Sequence, residues 1–80
     1  MTPRPDPREE AAWLRKLERA TATHEKARTA LDELVADARA AGVPLMVIAK
    51  HTSYSREWAR KIADRIDAER AAKRAAKPDA

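Results

Sequence analysis

The amino-acid sequence predicts an all-α fold in which one long N-terminal helix precedes two shorter helices. Alanine supplies 19 of the 80 residues, charged residues make up 38%, and Gly42 is the only glycine; this composition favours helices. Three aromatic and few β-branched residues are present, which is too little to cover a β-sheet. The chain has no cysteine, so disulfides and thiolate metal sites are excluded. Because so small a domain buries little apolar surface, we expect oligomerisation to contribute to its stability.

The first predicted helix covers residues 8–41 and follows a Pro-rich lead-in, residues 1–7, that we expect to be disordered. Apolar and small residues recur along it at alternating spacings of four and three, as in a coiled-coil heptad. This stripe consists of Trp13, Leu17, Ala20, His24, Ala27, Leu31, Leu34, Ala38 and Ala41. Thr21 and Thr23 are poor helix formers, so a break between residues 20 and 24 stays open as an alternative.

A helix of this length measures about 50 Å, which is more than the rest of the chain can cover. We therefore predict that its N-terminal part pairs with a second subunit, in a homodimer formed through the long helix. The predicted dimerisation residues are Trp13, Leu14, Leu17, Ala20 and His24. The C-terminal part is expected to pack on the rest of the chain through Leu31, Leu34, Val35 and Ala38.

A helix-turn-helix is predicted over residues 42–67. Gly42 suits a left-handed cap after the first helix, and Pro44 suits the first turn of a short helix at 44–51. Residues 52–55 form a polar turn, and Ser55 is a natural N-cap for a third helix at 55–67. The pair is expected to be held by Leu45, Ile48, Ala59 and Ile62, with Trp58 also in the core. Residues 68–80 form a basic, Ala-rich tail, either a fraying helix or mobile.

The charge distribution along the chain indicates the charge of the partner that such a motif would bind. Residues 1–41 carry 8 basic and 8 acidic side chains, whereas residues 42–80 carry 9 basic and 5 acidic ones, so the net charge of +4 lies in the second half. A basic face on the second helix of a helix-turn-helix favours an anionic partner. The alternative is a solvated helix face with intrahelical pairs, such as Glu57 with Lys61.

The segment from Val43 to Ile62 resembles the helix-turn-helix of bacterial DNA-binding proteins. It is especially similar to very short actinobacterial ones, including small nucleoid-associated proteins, in which a comparable recognition helix follows a long first helix. The matching residues are Tyr54, Ser55, Arg56, Glu57, Trp58, Arg60, Lys61 and Ile62. Ser53 stands where the motif commonly has a turn glycine. A left-handed conformation at serine costs about 1 kcal/mol, so we expect an altered turn.

The resemblance implies double-stranded DNA as the partner, with the helix at 55–67 in the major groove. Residue chemistry makes Arg56 and Arg60 candidates for guanine and Glu57 a candidate for the cytosine amino group. The predicted phosphate contacts are Lys50, Thr52, Ser53, Tyr54, Ser55 and Lys61. Tyr54 is expected to pack on the third helix with its hydroxyl facing outwards. A regulator and a chromosome-organising protein both fit this interpretation.

A protein–protein adaptor that docks through the long helix, without DNA binding, is the main alternative function. We expect no enzyme, because no nucleotide-binding loop or nucleophile arrangement is present. We also expect no metal, no cofactor and no small-molecule ligand: the two histidines, His24 and His51, lie too far apart in a chain without cysteine. The absence of a long apolar run and of a signal-peptide pattern predicts a cytoplasmic protein without a membrane segment. The resemblance to small nucleoid-associated proteins implies a location in the nucleoid.

Overall fold

The computed structural model describes residues 2–76, and within these residues it contains three α-helices and no strand. The helices are α1 (Pro7–Ala40), α2 (Leu45–Lys50) and α3 (Arg56–Ala76). The molecule measures about 53 × 40 × 15 Å, so it is flat. The all-helical class with one long first helix is thereby confirmed.

α1 is one continuous helix that passes through Thr21 and Thr23 without a break. It begins one residue earlier than predicted, because Asp6 is its N-cap and accepts a hydrogen bond from the Glu9 amide at 2.9 Å. Pro7 occupies the first helical position, where its missing N–H leaves no hydrogen bond unmade.

The end of α1 is set by Gly42, as predicted. Its φ of 98° lies in the left-handed region, and it is the one residue with positive φ within residues 2–76. The Gly42 amide donates to the Arg39 carbonyl and the Val43 amide to the Ala38 carbonyl, both at 3.0 Å. This pair of bonds is a Schellman motif, which satisfies carbonyls that the end of a helix otherwise leaves unpaired. The chain thereby turns sharply into α2.

α2 and α3 are joined by residues 51–55. Ser55 caps α3 as predicted: its Oγ accepts the Trp58 amide at 3.1 Å, and its carbonyl accepts the Ala59 amide at 2.9 Å. No residue of the connection has positive φ, so Ser53 avoids the left-handed conformation that a turn glycine would adopt. α3 continues beyond residue 67 to Ala76, so of the two alternatives for the tail the helical one holds over residues 68–76. The last part of the predicted tail, residues 77–80, lies outside the described residues.

One small core holds the three helices together. Its buried side chains are Val35, Ala36, Ile48, Ala59, Ile62, Ala63 and Ile66. Leu31, Ala38, Leu45 and Tyr54 pack around it. Leu34 was expected in this contact but is 63% exposed. The reason is that α3 packs on the α1 face formed by Asp32, Val35 and Ala36, which is turned away from Leu34.

Two regions follow from this packing. Residues 31–76, here called the packed unit, contain the whole core. Residues 7–30 of α1, here called the arm, extend away from it, and every side chain from Trp13 to Ala30 is exposed.

Candidate nucleic-acid interface

A buried carboxylate fixes the beginning of α3 against α1. Asp32 is only 3% exposed. Its Oδ1 accepts a 2.6 Å hydrogen bond from the Tyr54 hydroxyl, and its Oδ2 lies 3.1 Å from an Arg65 guanidinium nitrogen. A buried charge is tolerated when it is paired and hydrogen-bonded in this way. Asp32 therefore joins α1 to the turn before α3 and to α3 itself.

The sequence analysis did not predict a role for Asp32, because the heptad stripe lies on a different face of α1. The available signal was the presence of two small apolar residues, Val35 and Ala36, one turn after it on the same face. Burial and the bond to Asp32 raise the pKa of Tyr54 above its usual 10.0, with burial the larger cause.

Further ion pairs hold α3 across α1. Arg39 donates from its two terminal nitrogens to Asp64 at 2.7 Å and to Asp67 at 2.6 Å. Arg70 donates to Asp37 at 2.7 Å. The hydrogen bond from Arg39 is the main reason why the pKa of Asp64 is lowered. Part of the positive charge in the second half of the chain is thus used within the fold, on Arg65 and Arg70.

Three of the predicted DNA-contacting cations remain accessible. Arg56 and Lys61 are exposed on α3, and Lys50 is exposed at the end of α2. None of the three makes an ion pair within residues 2–76. Arg56 lines a shallow depression between the beginnings of α2 and α3, beside Met46.

Unlike these three cations, Arg60 is already paired with two acidic residues of α3. Its guanidinium pairs with Glu57, and a second nitrogen lies 3.1 Å from Asp64. The hydrogen bond from Arg60 is the main cause that lowers the pKa of Glu57. The expected intrahelical pair on this face therefore exists, but it joins Glu57 to Arg60 rather than to Lys61. Arg60 and Glu57 reach a base only by exchanging these partners.

The predicted hydroxyl contacts divide into two groups. Thr52 donates its hydroxyl to the Ile48 carbonyl at 3.0 Å, and Tyr54 donates to Asp32. Both protons are used within the fold, so these two hydroxyls do not donate to a phosphate in this structure. The expectation that the Tyr54 hydroxyl faces outwards is wrong. Ser53 is exposed, and Ser55 only accepts a bond through its Oγ, so both keep a proton to donate.

Trp58 was expected in the core, and this prediction is wrong. It is 44% exposed, because α3 turns its smaller neighbour Ala59 towards α1 instead. Trp58 lines an open depression together with His24, Arg28 and Ser53. An exposed indole beside a cation and a hydroxyl, next to the beginning of α3, adds apolar contact area to the candidate interface.

The predicted dimerisation residues all lie on the exposed arm. Trp13 is 55% exposed and Leu17 is 59% exposed, and Leu14, Ala20 and His24 are exposed as well. Lys16 lies 4.7 Å above the Trp13 ring. Within residues 2–76, only His24 of this surface lies close to the packed unit, in the open depression beside Trp58.

Neither a metal site nor a membrane-spanning helix is found within residues 2–76. Within residues 2–76, no cluster of three or more histidine, cysteine or acidic side chains is arranged to hold a metal ion. None of the described helices combines the length and the apolar character needed to cross a bilayer. Comparison of the chain with protein-family models, curated proteins and solved structures gives no match.

Proposed function

We propose that this protein binds double-stranded DNA in a sequence-selective manner, as a nucleoid-associated protein or transcriptional regulator. α2, the connection at 51–55 and α3 act as a helix-turn-helix, and the beginning of α3 enters the major groove. The observation that carries the proposal is the set of accessible cations, Lys50, Arg56 and Lys61, around the capped beginning of α3.

Each accessible group has a role that fits its chemistry. Arg56 is positioned to read a guanine through its two parallel donors. Lys50 and Lys61 contact phosphates, as do the hydroxyls of Ser53 and Ser55. Arg60 and Glu57 act as a pair: on binding, Arg60 exchanges its acidic partners for guanine, and Glu57 is freed to accept from cytosine.

The bonds from Asp32 to Tyr54 and Arg65, here called the Asp32 hub, support this function because they hold α3 in place against α1. A base contact is specific only when the side chain that makes it is held in place. Tyr54 lies two residues before Arg56, and its bond to Asp32 anchors that part of the chain to α1. Tyr54 and Thr52 therefore position the interface rather than contact phosphate.

The test is a binding titration with labelled duplex DNA, after selection of bound fragments from a random pool. We expect an enriched short motif and an affinity that falls steeply with salt, because binding releases counterions. Arg56→Ala is expected to weaken binding to the selected site about tenfold, within the range of about 1–3 kcal/mol for a good base contact. Lys61→Ala is expected to weaken all sequences alike and to reduce the salt slope.

Arg19→Ala is the matched control, since it removes the same charge from an exposed position on the arm. It is expected to change the affinity less than twofold. Equal effects of Arg56→Ala and Arg19→Ala would show that only overall charge matters. Absence of binding at 50 mM salt would overturn the proposal.

The uncovered arm favours one second candidate, a protein–protein adaptor. Exposed Trp13 and Leu17 would then dock on an unrelated partner, and the packed unit would serve as a scaffold. In that case the same titration shows no DNA binding, while Leu17→Glu abolishes the partner complex.

A further inference from the structure

Two separate apolar surfaces of the molecule lack a cover. One is the arm, with Trp13 and Leu17 more than half exposed. The other is an open groove between α1 and α2, here called the α1–α2 groove. Its lining includes Leu31, Leu34, Ala38, Val43, Val47 and His51. Both surfaces belong to α1 or lie next to it, about 20 residues apart along the helix.

We propose that a second copy of this chain covers both surfaces, in an antiparallel α1–α1 dimer that places the partner's Trp13 in the α1–α2 groove. The two-fold axis passes between Glu25 and Lys26. Eight of the nine stripe residues then face a stripe residue of the partner, and the ninth, Ala41, faces Glu10 near the beginning of the partner's α1. The facing pairs are Trp13 with Ala38, Leu17 with Leu34, Ala20 with Leu31, and His24 with Ala27.

Side-chain size supports this register. In three of the four facing pairs, a large residue lies opposite a small one, which allows close packing without gaps. A shift by one heptad either places Glu10 opposite Leu34 or moves Trp13 beyond the end of the partner's α1. A parallel dimer would instead stack Ala20 on Ala20 and Trp13 on Trp13, which leaves gaps beside overcrowded layers.

The charges beside the stripe agree with the antiparallel arrangement. Lys16 and Asp37 occupy equivalent flanking positions of the heptad, and this register brings each Lys16 next to the partner's Asp37. Lys16 makes no ion pair within residues 2–76. Asp37 is 57% exposed at its side chain even though it pairs with Arg70, so it can accept a second cation.

The arrangement also has a consequence for the proposed function. Val35 lies level with the partner's Lys16, so 19 helix positions separate the two packed units along the dimer axis. This corresponds to about 29 Å, close to the spacing of about 34 Å between half-sites one turn apart on DNA. The dimer itself does not rest on DNA binding, and its tests contain no DNA.

Disulfide mapping distinguishes the antiparallel from the parallel dimer, and the natural chain contains no cysteine to interfere. Leu17→Cys and Leu34→Cys replace exposed residues, so neither variant disturbs the core. We expect an equimolar mixture of the two to form the mixed disulfide at least tenfold faster than either variant forms a disulfide alone. Arg19→Cys, off the stripe, replaces Leu34→Cys in the control mixture. Rapid self-linking of Leu17→Cys, or equal rates in both mixtures, would overturn the arrangement.

A second measurement tests the groove. Val47 lines the α1–α2 groove, whereas the neighbouring exposed Met46 faces the depression near Arg56. Val47→Glu is expected to raise the dimer dissociation constant at least tenfold in sedimentation equilibrium, and Met46→Glu less than threefold, with the helix content of both unchanged. Equal effects would show that the groove is not the docking site. A natural chain that is monomeric at 100 µM would exclude a second copy as the cover.

Discussion

The arm and the packed unit have the same kind of sequence but different structural support. Both are rich in alanine and charged residues, and both are helical. In the packed unit, Val35 and Ile62 are each 2% exposed, whereas no side chain from Trp13 to Ala30 is buried. The arm is therefore helical through propensity, capping and continuity with the packed half of α1.

Ion pairs show the same difference. Four pairs join α1 to α3 within the packed unit, through Arg39, Arg65 and Arg70. The arm has no such bridge to another helix within residues 2–76. Since propensity alone supports only marginal helices in water, the arm has less tertiary support than the packed unit.

The largest expected effect is the loss of stability when a buried side chain of the packed unit is shortened. Ile62→Ala removes buried atoms from a small core, so we expect the free energy of unfolding to fall by about 2–5 kcal/mol. The total for a chain of this size is only about 4–12 kcal/mol. Urea denaturation followed by circular dichroism measures the loss.

Leu17→Ala makes a comparable truncation on the arm and serves as the control. At a dilution at which the chain is monomeric, we expect a change within about 0.5 kcal/mol, as for other exposed positions. A loss of similar size for both variants would show that the arm is packed on the rest of the chain after all.

A smaller effect is expected at the Asp32 hub. Tyr54→Phe removes one hydrogen bond from a buried carboxylate, and we expect a loss of about 1–3 kcal/mol in the free energy of unfolding. Ser53→Ala is the matched control, because it deletes an exposed hydroxyl from the same turn and is expected to be neutral. If Tyr54→Phe is also neutral, Asp32 does not depend on this hydrogen bond.

Most of the fold follows from local signals in the sequence. Gly42 marked the end of α1, Ser55 marked the beginning of α3, and the lack of proline and glycine predicted one long helix; the structure confirms all three. α3 continues past the end predicted near residue 67. Arg70, in this extension, pairs with Asp37 of α1, and a contact between residues so far apart in the sequence cannot be deduced from local signals.

The interface was harder to predict than the helices. Periodicity identified the basic face of α3, but it could not show which cations are already paired within the fold. Trp58 was placed in the core because it lies on the same face of the predicted helix as Ala59 and Ile62. The contact with α1 is instead made by small residues, Ala59 and Ala63, which leaves Trp58 at its edge. A buried aspartate such as Asp32 follows no hydrophobic pattern, so only its partners reveal it.

The smallest expected effect is on the dependence of Tm on pH in the acidic range. The ion pair with Arg39 lowers the pKa of Asp64 below its ordinary value of 3.8, so the folded state favours the charged carboxylate. The stabilisation by this group is therefore present above about pH 4 and is lost as the pH falls through the lowered pKa. Asp64→Asn is expected to lower Tm at pH 6 and to reduce the difference between Tm at pH 6 and at pH 3.

Glu25→Gln is the control on the arm, where the side chain is exposed and makes no ion pair within residues 2–76. It should leave the acid dependence of Tm unchanged. An equal reduction in both variants would mean that acid acts through the total charge of the chain. A reduction confined to Asp64→Asn would place the acid sensitivity at the α1–α3 contact, within the packed unit.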